Sequence, residues 1–96
     1  MQKIIVREKE AISGGQRFVV FVGEGGAVAE FMVDLADNYW EKLTLRKISR
    51  EKLIEKSFEF LLELEAVDDI LRKFGLPVIQ QYFPEYEEKM MAASGG

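Results

Sequence analysis

The chain has 96 residues, of which 48% are hydrophobic and 31% charged, and its net charge is −4; together these values indicate a single globular domain with its own core. It contains no cysteine and no histidine, which excludes disulfides, thiolate nucleophiles, zinc–sulfur sites and every serine–histidine pair. We therefore predict no catalytic residue, no metal site and no cofactor, and an acidic chain of this kind seldom attracts nucleic acid through its overall field.

The N-terminal third predicts a three-stranded antiparallel meander. Residues 3–12 are rich in β-branched side chains and are followed by a Ser-Gly-Gly turn sequence, after which residues 17–22 form a second run with strong β propensity. Residues 27–35 fit both a strand period and a helix period. A strand is preferred because no capping residue precedes Ala27 and because the second strand needs an antiparallel partner.

A glycine cluster, Gly23, Gly25 and Gly26, raises the alternative of a phosphate-binding loop. A dinucleotide-binding fingerprint requires a small residue where this chain has Val28, whose branched side chain blocks close packing of a helix on a strand. Glu24 would also place a negative charge beside the phosphate. We therefore interpret the cluster as a four-residue hairpin loop, "GEGG", whose glycines adopt positive φ.

Two helices are predicted after the meander. Asp37 can cap a short helix that carries Tyr39 and Trp40, and residues 45–48 form a linker or a short strand. Ser49 caps a second helix, residues 50–64, which is apolar around most of its circumference. The sheet, other helices or a second copy of the protein must cover such a helix.

The segment that follows, residues 66–74, is predicted to be helical and to end at Gly75, a natural C-terminal glycine. A heptad spacing leaves two alternatives open, one long helix over 50–74 or two helices with a break near residues 65–69, and the break is preferred because compact domains use short helices. The heptad positions are Leu53, Ser57, Phe60, Leu64, Val67, Leu71 and Phe74.

The last part of the chain carries two prolines. Pro77 suits the first position of a helix and Pro84 ends whatever helix reaches Phe83. Residues 85–96 read as a tail, so we expect a single domain over residues 1–92 and a disordered end over 93–96.

Four stretches between residues 39 and 87, "YWEKLT", "FEFLLE", "ILRKFGLPVI" and "YFPEYE", resemble a type of small uncharacterised prokaryotic protein. No activity is known for such proteins, so the resemblance implies no function and no site residue. It favours an α+β fold in which the N-terminal meander packs against three or four C-terminal helices.

Two sets of side chains are candidates for binding. The first is aromatic and suits a protein partner, because such residues dominate interaction hot spots, although completion of the core is the preferred interpretation for most of them: Tyr39, Trp40, Tyr82, Phe83 and Tyr86. The second is basic and suits phosphates, although a solvated helix face is the more economical interpretation: Lys42, Arg46, Lys47, Arg50 and Lys52.

Function follows from these features only as an expectation. The apolar helix and the open sheet edges favour a non-catalytic module that binds a protein partner or assembles as a homodimer. Nucleic-acid binding through residues 42–52 is the alternative, and an enzyme using carboxylates or tyrosine ranks below both. No apolar stretch reaches the roughly 7–15 residues of a secretory signal or the roughly 20 of a membrane-spanning helix, so we expect a soluble cytoplasmic protein.

Overall fold

Three ten-residue strands occupy the N-terminal third of the computed structural model, which describes residues 2–95. They are β1 (Lys3–Ile12), β2 (Gly15–Glu24) and β3 (Ala27–Ala36), joined as an antiparallel meander. The preferred strand over 27–35 is therefore confirmed. A short fourth strand, β4 (Lys73–Gly75), pairs parallel to β3 and completes a sheet of order β1-β2-β3-β4. The fold class is α+β, as predicted.

Both hairpins turn through two residues. The first turn places Gly14 at φ +72°, and the second places Gly25 and Gly26 at φ +59° and +89°, which only glycine adopts freely. The predicted four-residue loop was therefore too long, because Gly23 lies within β2 and has no positive φ. Ala27 begins a strand and not a helix, so the loop has no helix N-terminus with which to hold a phosphate.

Four helices complete the fold: α1 (Asp37–Thr44), α2 (Arg50–Leu64), α3 (Val78–Tyr82) and α4 (Tyr86–Ala93). Ser49 caps α2 as predicted, since its Oγ accepts a hydrogen bond from the Lys52 amide at 3.0 Å. The predicted cap of α1 was wrong. Ala36 holds the capping position without a side-chain bond, and the Asp37 carboxylate instead accepts hydrogen bonds from Arg50.

The helix predicted over residues 66–74 was wrong, although the preferred break is confirmed. α2 ends at Leu64, a single 3₁₀ turn follows at Val67–Asp69, and the chain then extends into β4. The main-chain groups of β3 explain the difference. The Met32 amide donates to the Arg72 carbonyl at 2.7 Å. A helix over residues 66–74 would leave this amide of β3 without its acceptor.

The predicted tail over residues 85–96 was also wrong, because most of it forms α4. Tyr86 and Met90, one turn apart, are buried in the core. The predicted domain boundary at residue 92 falls inside this helix. Ser94 is buried too and its Oγ donates to the Met90 carbonyl at 2.8 Å, while Gly96 lies outside the described residues.

The core lies between the sheet and the helices. The inner face of the sheet and the buried side of α2 supply most of it, and their largest fully buried members are Phe18, Val20, Val22, Phe31, Val33, Leu35, Leu53, Ile54 and Phe58. The apolar residues of α2 are therefore largely buried within a single chain. The helix that favoured a homodimer on sequence grounds is covered by its own sheet and by α4.

The opposite side of the sheet, here called the outer face, is apolar as well. Strand pairing aligns Ile5 with Phe21, Val19 with Met32, and Gly23 with Val28. Side chains alternate along a strand, so these residues point away from the buried positions of β2 and β3. Val28 is 69% exposed, and the other apolar members of the outer face are half-buried.

Candidate interaction surfaces

The five aromatic candidates do not form one exposed patch. Tyr39, Trp40 and Tyr86 are buried, and Phe83 is half-buried against the core. Only Tyr82, which is 66% exposed, presents its ring to solvent. Three of the five are therefore structural, because a small domain needs large side chains to build its core.

Tyr39 and Glu87 connect α1 to α4. The Tyr39 hydroxyl donates to Glu87 Oε2 at 2.8 Å, and Lys42 Nζ lies 3.1 Å from Glu87 Oε1. Burial raises the pKa of Tyr39 and the bond to Glu87 raises it further, so the phenol stays protonated. Burial also acts to raise the pKa of Glu87, but the bonds from Tyr39 and Lys42 outweigh it and hold that pKa below its usual 4.5.

This pair predicts a measurable acid dependence of stability. The folded pKa of Glu87 lies below its unfolded value, so its contribution is complete above pH 4.5 and disappears as pH falls through the folded pKa. Glu87→Gln should therefore lower the free energy of unfolding by about 1 kcal/mol at neutral pH, and the deficit should shrink in acid. Urea unfolding of both proteins across the acid range measures this. Tyr39→Phe is the matched control, since it removes the hydroxyl that lowers the pKa. A deficit that does not change with pH would contradict the assignment.

Trp40 is held by the loop that follows α1 and by the first residue of α2. The indole Nε1 donates to the Ile48 carbonyl at 3.0 Å, and the Arg50 guanidinium lies 4.0 Å from the ring centroid. A guanidinium at this distance over an indole face is a favourable cation–π contact. The cation–π contact therefore explains why basic residues lie close to Trp40, without a nucleic-acid base stacked on the ring.

Each of the five basic candidates has a partner within the chain. Lys42 pairs with Glu87, Arg46 with Glu41, Arg50 with Asp37 and Lys52 with Glu55, at 2.6–3.1 Å, and Lys47 Nζ donates to the Gly95 carbonyl at 3.3 Å. Phosphate binding draws on cations whose charge is not already compensated. Four of the five cations are thus paired with carboxylates, whereas Lys47 contacts a neutral carbonyl. Nucleic-acid binding through residues 42–52 stays a prediction.

An apolar groove that sequence reasoning missed lies where α2, the 3₁₀ turn, β4 and α3 meet. Its volume is about 180 Å³, more than the roughly 150 Å³ cavity that holds a benzene ring. Its apolar lining comes from four separate segments and comprises Leu61, Ile70, Leu71, Phe74, Val78, Ile79, Tyr82 and Phe83.

Exposed apolar side chains and carboxylates together line this apolar groove. Leu71 is 50% exposed and Tyr82 more so, and Leu64 is exposed nearby at the end of α2. Glu65 and Asp69 contribute the two carboxylates of the lining, and neither takes part in an ion pair among residues 2–95. The apolar groove therefore combines accessible apolar surface with uncompensated negative charge.

Between Gln2 and Gly95, no group of three or more carboxylates comes close enough together to hold a metal ion. Over the same span, no helix has both the length and the apolar character needed to cross a bilayer.

No family model, curated protein or solved structure matches this chain. The comparisons therefore transfer no activity and no site residue. The resemblance of residues 39–87 to small prokaryotic proteins stays a prediction.

Proposed function

We propose that this chain is a non-catalytic protein-interaction module that binds an apolar segment of a partner in the apolar groove. The observation that supports the proposal is the groove itself, a concavity large enough for one aromatic or aliphatic side chain and bordered by exposed Leu71 and Tyr82. A concave apolar pocket with a few polar groups at its border is the usual form of a binding site.

The charges of the apolar groove specify the partner further. Glu65 stands at the C-terminal end of α2, where the helix dipole already places partial negative charge and the last turn holds no basic residue. Asp69 adds a second carboxylate to the lining. A cation beside the inserted side chain would be attracted by all three, so the occupant we propose is a short apolar segment that carries a lysine or arginine.

The two buried phenols of the core make structural hydrogen bonds, Tyr39 with Glu87 and Tyr86 with Ser57. Burial raises the pKa of both Tyr39 and Tyr86, so both phenols remain protonated hydrogen-bond donors at neutral pH. The polar groups of the apolar groove are two carboxylates and the Tyr82 phenol, and the chain has no imidazole or thiol to work with them.

Two small probes that share an indole ring system but carry opposite charges test the proposal. In NMR titrations, tryptamine should shift the methyl signals of Ile70, Leu71 and Ile79 at millimolar concentration. Indole-3-acetate should bind at least about fivefold more weakly, which corresponds to about 1 kcal/mol. The paired substitution Glu65→Gln with Asp69→Asn should remove the difference between the probes while preserving side-chain size.

Peptide selection tests the partner class directly. A displayed library of random peptides, panned on the intact chain, should yield sequences that combine a large apolar residue with a nearby lysine or arginine. These peptides should lose affinity for the Leu71→Ser variant and keep it for Val28→Ser, a matched exposed apolar position outside the apolar groove. Selected peptides that bind both variants equally, or signals elsewhere that shift with tryptamine, would refute the proposal.

A further inference from the structure

The outer face has an unusual composition for the solvated side of a meander. Antiparallel sheets with one covered face normally alternate apolar and polar residues. β2 does not: Phe18 and Val20 are fully buried on the inner face, while Val19 and Phe21 point outward and are apolar too. Between the Val19 row and the Gly23 row, the apolar side chains of the outer face are Ile5, Val19, Phe21, Val28 and Met32.

The charges around this apolar strip are asymmetric. Lys3 and Arg7 lie on β1, on one side of β2, and Glu30 lies on β3, on the other. None of the three takes part in an ion pair among residues 2–95.

At one end of the apolar strip, the outer face carries a cluster of paired charges. Arg17 pairs there with Glu10 on β1 and Asp34 on β3, each at 2.7 Å. Each charge of this cluster has an ion-pair partner in the same chain, although the cluster keeps a net charge of −1. The three charges without such a partner lie in the rows that carry Val19, Phe21 and Gly23.

A second chain is less able to bind at the edge of the sheet than on its outer face. β1 is an edge strand, and its second half carries four charged residues in succession, Arg7 to Glu10. The register with β2 shifts between Glu8 and Glu10, which marks a β-bulge. Charges and bulges are the devices that prevent edge-to-edge pairing, whereas nothing comparable protects the centre of the outer face.

We infer that a second copy of this chain packs on the outer face, sheet against sheet. A two-fold axis parallel to β2 places β1 of one protomer over β3 of its partner. Phe21 and Val19 then meet their own counterparts near the axis. The partner's Glu30 lies opposite Ile5, one row away from both Arg7 and Lys3, so that either cation can reach it. The interface is isologous, and its charges are complementary in both directions.

Lys73 does not disturb this arrangement. It shares the outer face through its pairing with Met32, but β4 lies beyond β3 at the far edge of the sheet. Under the two-fold operation it falls outside the partner's β1, so its charge stays in solvent.

The size of the interface predicts the strength of the dimer. Three ten-residue strands give a flat footprint of roughly 30 by 14 Å per protomer. Stable interfaces bury about 800 Å² of accessible surface per partner, so a footprint of roughly 420 Å² stands well below the usual size. We therefore expect a reversible dimer with a dissociation constant in the micromolar range or above.

Sedimentation equilibrium from micromolar to nearly millimolar protein measures the association. Wild-type chain should shift from monomer to dimer, and Phe21→Thr, which preserves β propensity, should remain a folded monomer by circular dichroism. Leu71→Ser alters the apolar groove and not the outer face, so it should dimerise like wild type. This control separates the inference from the proposed function, since either can fail alone.

Charge reversal identifies the contact. Arg7→Glu and Glu30→Arg should each weaken dimerisation at least tenfold at low salt, and the double variant should recover most of the loss. A chain that is monomeric at all concentrations, a dimer that Phe21→Thr leaves intact, or a double variant no better than the singles would overturn the inference.

Crosslinking provides a second measurement that does not depend on a disruptive variant. Because the chain has no cysteine, Gly23→Cys introduces one thiol on the outer face of β2, close to the proposed axis, without removing an apolar side chain. A short bis-maleimide should join two protomers through it efficiently, and Tyr82→Cys, exposed on another surface, should not crosslink at the same concentration. Equal crosslinking of the two variants would also overturn the inference.

Discussion

Tyr86→Ala is expected to lower the free energy of unfolding by about 3–5 kcal/mol, a large part of the stability of a domain of this size. Its ring is fully buried and lies 5.5 Å from the Phe60 centroid. Its hydroxyl lies 2.6 Å from Ser57 Oγ, and Ser57 Oγ is also 2.7 Å from the Leu53 carbonyl. Since serine has one hydrogen and gives it to that carbonyl, Tyr86 is the donor to Ser57. Urea denaturation at neutral pH measures the loss.

Two variants divide this effect into its parts. Tyr86→Phe keeps the ring and removes the hydroxyl, so about 1 kcal/mol should be lost. Tyr82→Ala makes the same change as Tyr86→Ala four residues earlier, on a side chain that is mostly exposed, and should change stability by no more than about 0.5 kcal/mol. Similar losses at the two tyrosines would contradict the placement of α4 in the core.

Gly15→Ala is expected to cost about 2–3 kcal/mol, although Gly15 has no positive φ. A Cβ at this position would overlap the Leu35 carbonyl oxygen and lie 2.8 Å from Ala36 Cα. Both atoms belong to the backbone of β3, the pairing partner of β2, so the clash cannot be relieved by rotating a side chain. Thermal unfolding followed by circular dichroism would detect it.

Gly23→Ala is the matched control for this substitution. It lies in the same strand, and the nearest atom that its Cβ would meet is the Ala27 carbonyl oxygen at 3.9 Å. Both substitutions restrict the unfolded chain equally, so their difference reports the native clash alone. Gly23→Ala should be neutral or stabilise by up to about 1 kcal/mol. If Gly15→Ala were tolerated equally well, the close approach of β2 and β3 would be wrong.

The meander and the second helix could be predicted because their signals are local. A glycine pair needs positive φ wherever it forms a two-residue turn, and Ser49 caps α2 through an amide three residues away. The preference for a strand at 27–35 succeeded for a related reason. Its partner, β2, is its immediate neighbour in the chain.

The predictions that failed concern interactions between distant parts of the chain. Residues 66–74 have apolar residues at helical spacing, but their conformation is decided by the free edge of β3, forty residues earlier. Residues 85–96 were predicted to be a tail, whereas Tyr86, Met90 and Ser94 repeat at the four-residue spacing of a buried helix face. That spacing was the signal that could have revealed α4.

The candidate surfaces were harder to predict than the fold. Four segments contribute to the apolar groove, and no periodicity within any one of them shows that their side chains converge. The outer face could have been recognised once the strands were assigned, because Val19 and Phe21 break the alternation of polar and apolar residues along β2.

β4 is far from β3 in the sequence, and this separation affects the order in which the strands of the sheet form. β1, β2 and β3 pair with sequence neighbours and close short loops, whereas β4 aligns Lys73 with Met32 and must close a much longer one. Only three residues secure that contact. We therefore expect the hairpins to form first and the segment carrying β4 to dock last, and in native-state hydrogen exchange its amides should open before those of β2.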